Sequence, residues 1–241
     1  MNDRPILRTL ALAVAIVAAG ALIGRGLAFF RIADRTVTVK GVAERDVKAD
    51  VGLWPLSFTA ANDDLVAAQT KVESDRRQAT RFLSRFGIDS TAISLHALNV
   101  TDTRANLYGG QIPPNRYVVK LSLIVRTHDV NALREASQRI DELVRQGVVL
   151  AAGQEYGASG PTYLFTKLND LKPAMLGEAN VNARQAAEQF ARESRAKVGG
   201  IRRASQGVFE ILARDRAPGI SEESQIEKTL RVVSTVEYML N

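Results

Sequence analysis

The chain has 241 residues, 46% of them apolar and 24% charged, a balance that excludes long disorder. It has no cysteine, which excludes disulfides, thiolate-held metals and thiol catalysis. The net charge of +6 is divided evenly, +3 before Thr36 and +3 after it, so no basic stripe marks a dedicated nucleic-acid binder.

Thr9 to Gly24 (TLALAVAIVAAGALIG) carries no charge, with Arg4 and Arg8 before it and Arg25 after it. As a helix it is about 24 Å long, a little short of the ~30 Å hydrocarbon layer. A snorkelling Arg25 and the apolar Leu27 to Phe30 extend the buried length. The segment reads as a retained signal-anchor. A cleaved signal peptide, with Ala19-Gly20-Ala21 as its small-residue site, and a buried soluble helix are the competing readings. The short basic tail places the N-terminus in the cytoplasm and the rest in the periplasm. The expected organisation is therefore a single-pass inner-membrane protein: residues 1–35 as tail and anchor, and 36–241 as one α+β domain, with room for two lobes.

Thr36 to Lys48 alternates as a strand, with Gly41 expected at a bulge. Val51 to Ala60 is a second strand, turning Trp54, Leu56 and Phe58 to one side and Leu53 to the other. Its Pro55 cannot donate to a ladder and implies an edge or a bulge. The Ala49-Asp50 step is expected to join the two as a hairpin.

Asn62-Asp63-Asp64 supplies cap chemistry for a helix to Phe86, with Leu65, Ala68, Val72, Ala79, Phe82, Leu83 and Phe86 on one stripe and Gly87 closing it. Ile93 to Thr103 and Tyr117 to Thr127 read as strands around the Gly/Pro-rich turn Asn106 to Asn115. Asp129 caps a second helix, with Val130, Leu133, Ala136, Ile140, Leu143 and Val144 inward and Gly147 at its end. Val148 to Tyr156 and Thr162 to Thr166 are expected strands. The longest helix runs from Asp170 to Lys197, with Leu176, Ala179, Ala183, Ala186, Ala187, Phe190 and Ala191 on its face and Gly199-Gly200 as its stop. Ile201 to Leu212 is a strand, Arg214 to Glu227 a polar loop and Leu230 to Leu240 the closing strand. The order ββαββα ββαββ favours antiparallel sheets with helices on one side, not a Rossmann alternation.

Three stretches resemble the SIMPL-domain family of bacterial envelope proteins: TVTVKGVAERDVKADVGLWPLSF (36–58), EANVNARQAAEQFARESRAKVGGIRRASQG (178–207) and RVVSTVEYML (231–240). They are fold signatures, not catalytic motifs. The resemblance implies an extracytoplasmic α+β protein. It also implies a tendency to homo-oligomerise, since some members form large rings and some are linked to oxidative-stress defence or act as surface antigens. It carries over no catalytic residue. This chain departs in having an apolar segment that reads as uncleaved, where many relatives have a cleavable signal.

The search for chemistry supports no catalytic, cofactor or metal site. His96 and His128 lack ligand spacing. Ser94, His96 and Asp102 could be composed into a triad, but no nucleophile-elbow sequence accompanies them. Gly24-Arg25-Gly26 and Gly109-Gly110 do not lie between a strand and a helix, and Gly199-Gly200 sits at the wrong end of one to bind an anion. Capping explains Asp63-Asp64, and a solvated loop explains Glu222-Glu223. Alternation puts Arg202 and Arg203 on opposite faces. Tyr108 and Tyr117 bracket the Gly/Pro turn, a connector that could also touch a partner. The expected function is a non-enzymatic, membrane-anchored assembly protein that binds the bilayer through one helix and its own copies through sheet edges. The alternative is an anchored module for an envelope ligand or protein, with Asn106 to Asn115 and Arg214 to Glu227 as its surfaces.

Overall fold

The computed structural model describes residues 13, 15–24, 35–105, 113–151 and 160–241. The elements are β1 (Thr36–Lys48), β2 (Val51–Asn62), α1 (Leu65–Ser84), β3 (Ile93–Asp102), β4 (Tyr117–Thr127), α2 (Val130–Gln138), α3 (Asp141–Arg145), β5 (Thr162–Leu164), α4 (Leu168–Glu193), β6 (Val198–Gln206), β7 (Glu210–Ala213) and β8 (Glu227–Leu240). One four-stranded sheet has the order β1-β8-β6, with β7 also on β8, and the other has the order β3-β4-β2-β5. The pairings β2–β4, β2–β5, β3–β4 and β6–β8 are antiparallel, so the α+β class holds. By contacts the chain divides into two compact units. The first is Met1–Glu44, Lys172–Glu210 and Arg231–Asn241; the second is Arg45–Leu171 and Ile211–Leu230.

The expected element order needs correcting in three places. The Ala49-Asp50 step is not a hairpin: β1 and β2 belong to different sheets. The Ala49 N–H donates instead to the Ile226 carbonyl, and the Asp50 N–H to the Leu164 carbonyl. Within the described part of Val148 to Tyr156, only Leu150 forms a bridge, to Phe58, and 152–159 lie outside the described residues. The expected strand Ile201 to Leu212 is broken at Gly207, whose N–H turns to the Val233 carbonyl, into β6 and β7. Residues 15–24 are helical and exposed. Among the described residues no helix is long and apolar enough to cross a membrane, and Thr9 to Gly24 lies only partly within them.

In the second unit, α1 starts because the Asp64 carboxylate accepts the Val66 N–H, at 2.8 Å. It stops at Gly87, φ +77°, where the Ile88 N–H returns to the Leu83 carbonyl. Its inner face sets Ala68, Val72, Ala79, Phe82 and Leu83 against β2 and β4. Trp54, Leu56 and Phe58 face it from β2, and Val119, Leu121, Leu123 and Val125 from β4. Each large side chain buried this fully contributes about 2 kcal/mol or more of transfer free energy. Pro55 is tolerated because its side of β2 is open. β5 pairs only from Val51 to Leu53, and the next backbone bonds on that side are at Ser57 and Thr59. The expected second helix divides into α2 and α3, and Val144 is 55% exposed instead of inward.

In the first unit, α4 buries Met175, Ala179, Ala183, Ala187 and Ala191, a strict four-residue stripe, while Phe190 is 56% exposed. Four residues of the expected face, Ala179, Ala183, Ala187 and Ala191, are buried; Phe190 is not, and Met175 joins them. Ala183 and Ala187 pack on Val39, Val236 and Tyr238. Gly41 lets this helix come close, since a Cβ there would lie 1.8 Å from the Ala179 carbonyl oxygen. That close approach, not the expected bulge, accounts for the glycine. The helix ends at Glu193 and not at Gly199-Gly200, which sit in β6. Arg195 takes the left-handed conformation, φ 56°, and the Ala196 N–H returns to the Ala191 carbonyl.

Gly41→Ala should cost about 3 kcal/mol in a urea titration, because the helix backbone has to move. Gly87→Ala, which meets open space and pays only for its positive φ, should cost about 1 kcal/mol. Equal losses for the two would contradict the close-approach argument.

Candidate functional site

The residues singled out in the sequence do not converge. Ser94 and Asp102 stand at opposite ends of β3, about 26 Å apart at strand rise. The Ser94 hydroxyl donates to the Ile124 carbonyl, at 3.3 Å, and Asp102 accepts from Arg116. His96 is exposed at a bulge between Leu95 and Ala97. His128 Nδ1 lies 2.9 Å from the Asp50 carbonyl oxygen. Among the described residues no group of three His, Asp or Glu could hold a metal ion.

The paired charges have acquired separate duties. Asp64 caps α1, but Asp63 reaches across to the N–H of Arg116 and the guanidinium of Arg104, both at 3.1 Å. With the Asp102–Arg116 pair, this fixes the base of the β3–β4 hairpin. Arg116 hydrogen bonds, reinforced by its charge and by the Arg104 N–H, hold Asp102 below the usual carboxylate range. The turn itself, with Tyr108 and Gly109-Gly110, lies largely outside the described residues. Arg202 and Arg203 are not on opposite faces of a regular strand. A register shift falls between Ile201 and Arg203; Arg203 is opposite Glu237 and Arg202 lies 3.6 Å from the same carboxylate.

Glu222 is not merely solvated. It starts a 3₁₀ turn and accepts an ion pair from Lys228, whose side chain is fully buried. Lys228 Nζ also donates to the Glu222 carbonyl, at 2.7 Å. Position 228 lies on the inward period of β8, where alternation alone predicts an apolar residue. The lysine ties down a loop that Gln225 closes, with its side-chain amide donating to the Asp215 carbonyl, at 2.6 Å, and accepting from the Asp215 N–H, at 3.1 Å.

That loop forms part of a cleft of about 470 Å³ in the second unit. Pro161 and Tyr163 come from the β5 segment, Arg134 and Ser137 from α2, and Asp215 and Ile226 from the loop. Tyr163 is buried, and burial pushes its phenol above the ordinary range, against smaller opposing effects of Ser137 and Arg134. The Ser137 hydroxyl donates to the Arg134 carbonyl, at 2.7 Å.

The second feature is a groove of about 450 Å³ between α1 and β3, with Val72, Leu98 and Leu121 apolar and Gln69, Thr70 and Arg77 polar. Leu95, Leu98 and Val100 sit opposite the buried Leu123, Leu121 and Val119 of β4, so they share the face that α1 covers. Helix α1 packs mainly on β2 and β4, and its flank meets β3 only across this groove. The three side chains are left 63%, 47% and 51% exposed. β3 is also the outermost strand of its sheet, and from Ile93 to Asp102 it has neither lysine nor proline to blunt the edge.

Comparison with known proteins decides the family. A model described as SIMPL, protein of unknown function (DUF541), matches residues 37–238. The chain belongs to the SIMPL family. A search of curated proteins finds no match. Among solved structures, a Listeria innocua protein titled a hydrolase is similar over 83% of this chain and 92% of its own, at 10% identity and a TM-score of 0.21. An uncharacterised conserved protein from Listeria innocua covers 79% and 91% respectively, at 12% identity and a TM-score of 0.16. Likenesses that weak bear on neither the chemistry nor the fold of this SIMPL chain.

The SIMPL domain also carries a pH-sensitive clasp. The Asp50 carboxylate accepts the N–H and hydroxyl of Thr166, both at 2.7 Å. Burial alone would raise its pKa, but those bonds and the Lys167 charge together hold it below the ordinary value. A lowered carboxylate contributes stability above its unfolded pKa of about 3.9 and loses that contribution as pH falls through the folded value. Thr166→Ala should therefore cost about 1 kcal/mol at pH 7 in thermal or urea unfolding. The difference from the parent should shrink as pH falls below about 4; a pH-independent difference would rule out the carboxylate as its source.

Proposed function

We propose that this SIMPL protein is a non-enzymatic assembly protein, anchored in the inner membrane by its N-terminal apolar segment with the α+β body in the periplasm. The charge-free run Thr9 to Gly24 between Arg8 and Arg25 supports the anchor and the lipid bilayer as partner. The observation that carries self-association is the β3 edge, where an open backbone ladder coincides with the uncovered Leu95, Leu98 and Val100. Pairing of copies through a sheet edge buries both at once and is compatible with closed symmetry and a ring. A role in stress defence is the physiological setting that the family suggests.

A second reading, an anchored binding module, rests on the cleft beside Tyr163. It acts on a different surface and is compatible with the first.

Full-length protein extracted in mild detergent should run as an oligomer by light scattering at micromolar concentration. Leu98→Lys should convert it to a monomer that keeps the parent's circular dichroism, because position 98 is already half exposed. A monomeric parent would overturn the assembly reading. A C-terminal reporter that is active only in the cytosol would overturn the proposed topology.

A further inference from the structure

We infer that the outer edge of β3 pairs with the same edge of a second copy, antiparallel about a twofold axis at Leu98, so that two four-stranded sheets become one. The inference rests on the self-association reading and names the partner of that edge. Its first support is a comparison of edges. At the other side of the same sheet, β5 offers only three residues, and beyond it Ser57 and Thr59 of β2 are already bonded to Ala151 and Val149. In the first unit the end strands are blunted by charge: β1 carries Lys40, Glu44, Arg45, Asp46 and Lys48, and β6 carries Arg202 and Arg203. Over its ten residues β3 has one acid, Asp102, at the last position, and no Lys, Arg or Pro. Among the described strands, an edge of equal length and equal polarity is found only in another β3.

Geometry fixes the direction. An edge meets its own copy in one sheet, with both apolar faces on the same side, only by a half-turn about the sheet normal, and that half-turn runs the two strands antiparallel. Turning one copy over would run the strands parallel and put the two apolar shelves on opposite faces. It would also set Asp102 beside the partner's Asp102, a like-charge pair that destabilises a sheet. In the antiparallel pair those carboxylates lie at opposite ends, about 26 Å apart. Both α1 helices then stand on one face. Each packs mainly on β2 and β4, so their axes are four strand spacings or ~19 Å apart, and helices about 10 Å across clear one another.

The apolar shelf fixes the register. Leu95, Leu98 and Val100 share a face, and the bulge between Leu95 and Ala97 takes up the extra residue, so Leu98 stands at the middle of the three. An axis at Leu98 sets it beside the partner's Leu98 and sets Val100 beside the partner's Leu95. All six side chains then form one patch, and each gains an apolar cross-strand neighbour in place of water. A slip of one residue would oppose the shelf to the face that carries Ala97 and Asn99, and the gain would be lost.

The chain has no cysteine, so single-cysteine variants report the pairing directly. Directly opposed residues lie ~5 Å apart between Cα atoms, within disulfide reach, whereas Val100 is ~13 Å from the partner's Val100, outside it. The test is oxidation by oxidised glutathione of full-length protein in mild detergent at micromolar concentration, read on a non-reducing gel. Leu98→Cys should cross-link to a dimer about tenfold faster than Leu95→Cys or Val100→Cys alone, and a mixture of the last two should cross-link where neither does by itself. Circular dichroism of each variant should match the parent, since all three positions are exposed. Equal cross-linking of the three single variants would overturn the twofold pairing. So would an oligomeric parent in which Leu98→Cys fails to cross-link, although assembly through another surface would then stand. A monomeric parent would overturn both the pairing and the assembly reading.

Discussion

One helix is narrower than the sheet it covers. Strands lie about 4.8 Å apart and a helix with side chains is about 10 Å across, so a single helix shelters roughly two strands. In the second unit α1 takes β2 and β4, and the core of Trp54, Phe58, Leu121 and Leu123 forms beneath it. β3 extends the same apolar face sideways and leaves Leu95, Leu98 and Val100 only partly covered. On the other flank of β2, a short β5 and the stretch around Leu150 complete the edge only in pieces, which is why Pro55 can sit there. The exposed apolar shelf and the α1/β3 groove follow from that mismatch in width.

The first unit meets the same constraint with a different device. α4 comes near its sheet through a stripe of alanines and through Gly41, trading large side chains for close backbone approach. Dispersion at short range then replaces much of the area that larger residues would bury. The arrangement tolerates no added atom at Gly41, yet it leaves the outer surface of α4 free to vary. Phe190 can stand 56% exposed there without weakening the contact below.

Local periodicity made the strands legible. β1 and β4 have the expected bounds, and the inward residues of β2 follow from alternation. What local pattern does not encode is partnership. Ala49-Asp50 looks like a hairpin because two strands abut, but each strand answers to a different sheet, and the Ile226 and Leu164 carbonyls that redirect the chain come from far along it. On α4 the alanine spacing of four marks the buried side, and only Phe190, at the margin of the stripe, turns out of it. Glycine is the usual left-handed residue, so Gly199-Gly200 reads as the stop of that helix, but Arg195 takes that role. The cleft was not visible at all, since Arg134, Tyr163 and Asp215 are brought together only by the tertiary fold. Asp215 and Ile226 did fall inside the polar loop already marked as a surface. Lys228 gave no signal because its burial depends on Glu222 folding back over it.

The account of function turns on β3. As an open edge, its outward N–H groups face water; as an interface, they are bonded to a neighbouring copy and the apolar shelf is covered. Hydrogen exchange of the β3 amides in full-length protein in detergent, compared at micromolar concentration and after hundredfold dilution, separates the two directly. Assembly through this edge predicts slow exchange from Ile93 to Asp102 that is lost on dilution, with β2 and β4 unaffected. Fast exchange of the outward amides at both concentrations would contradict it.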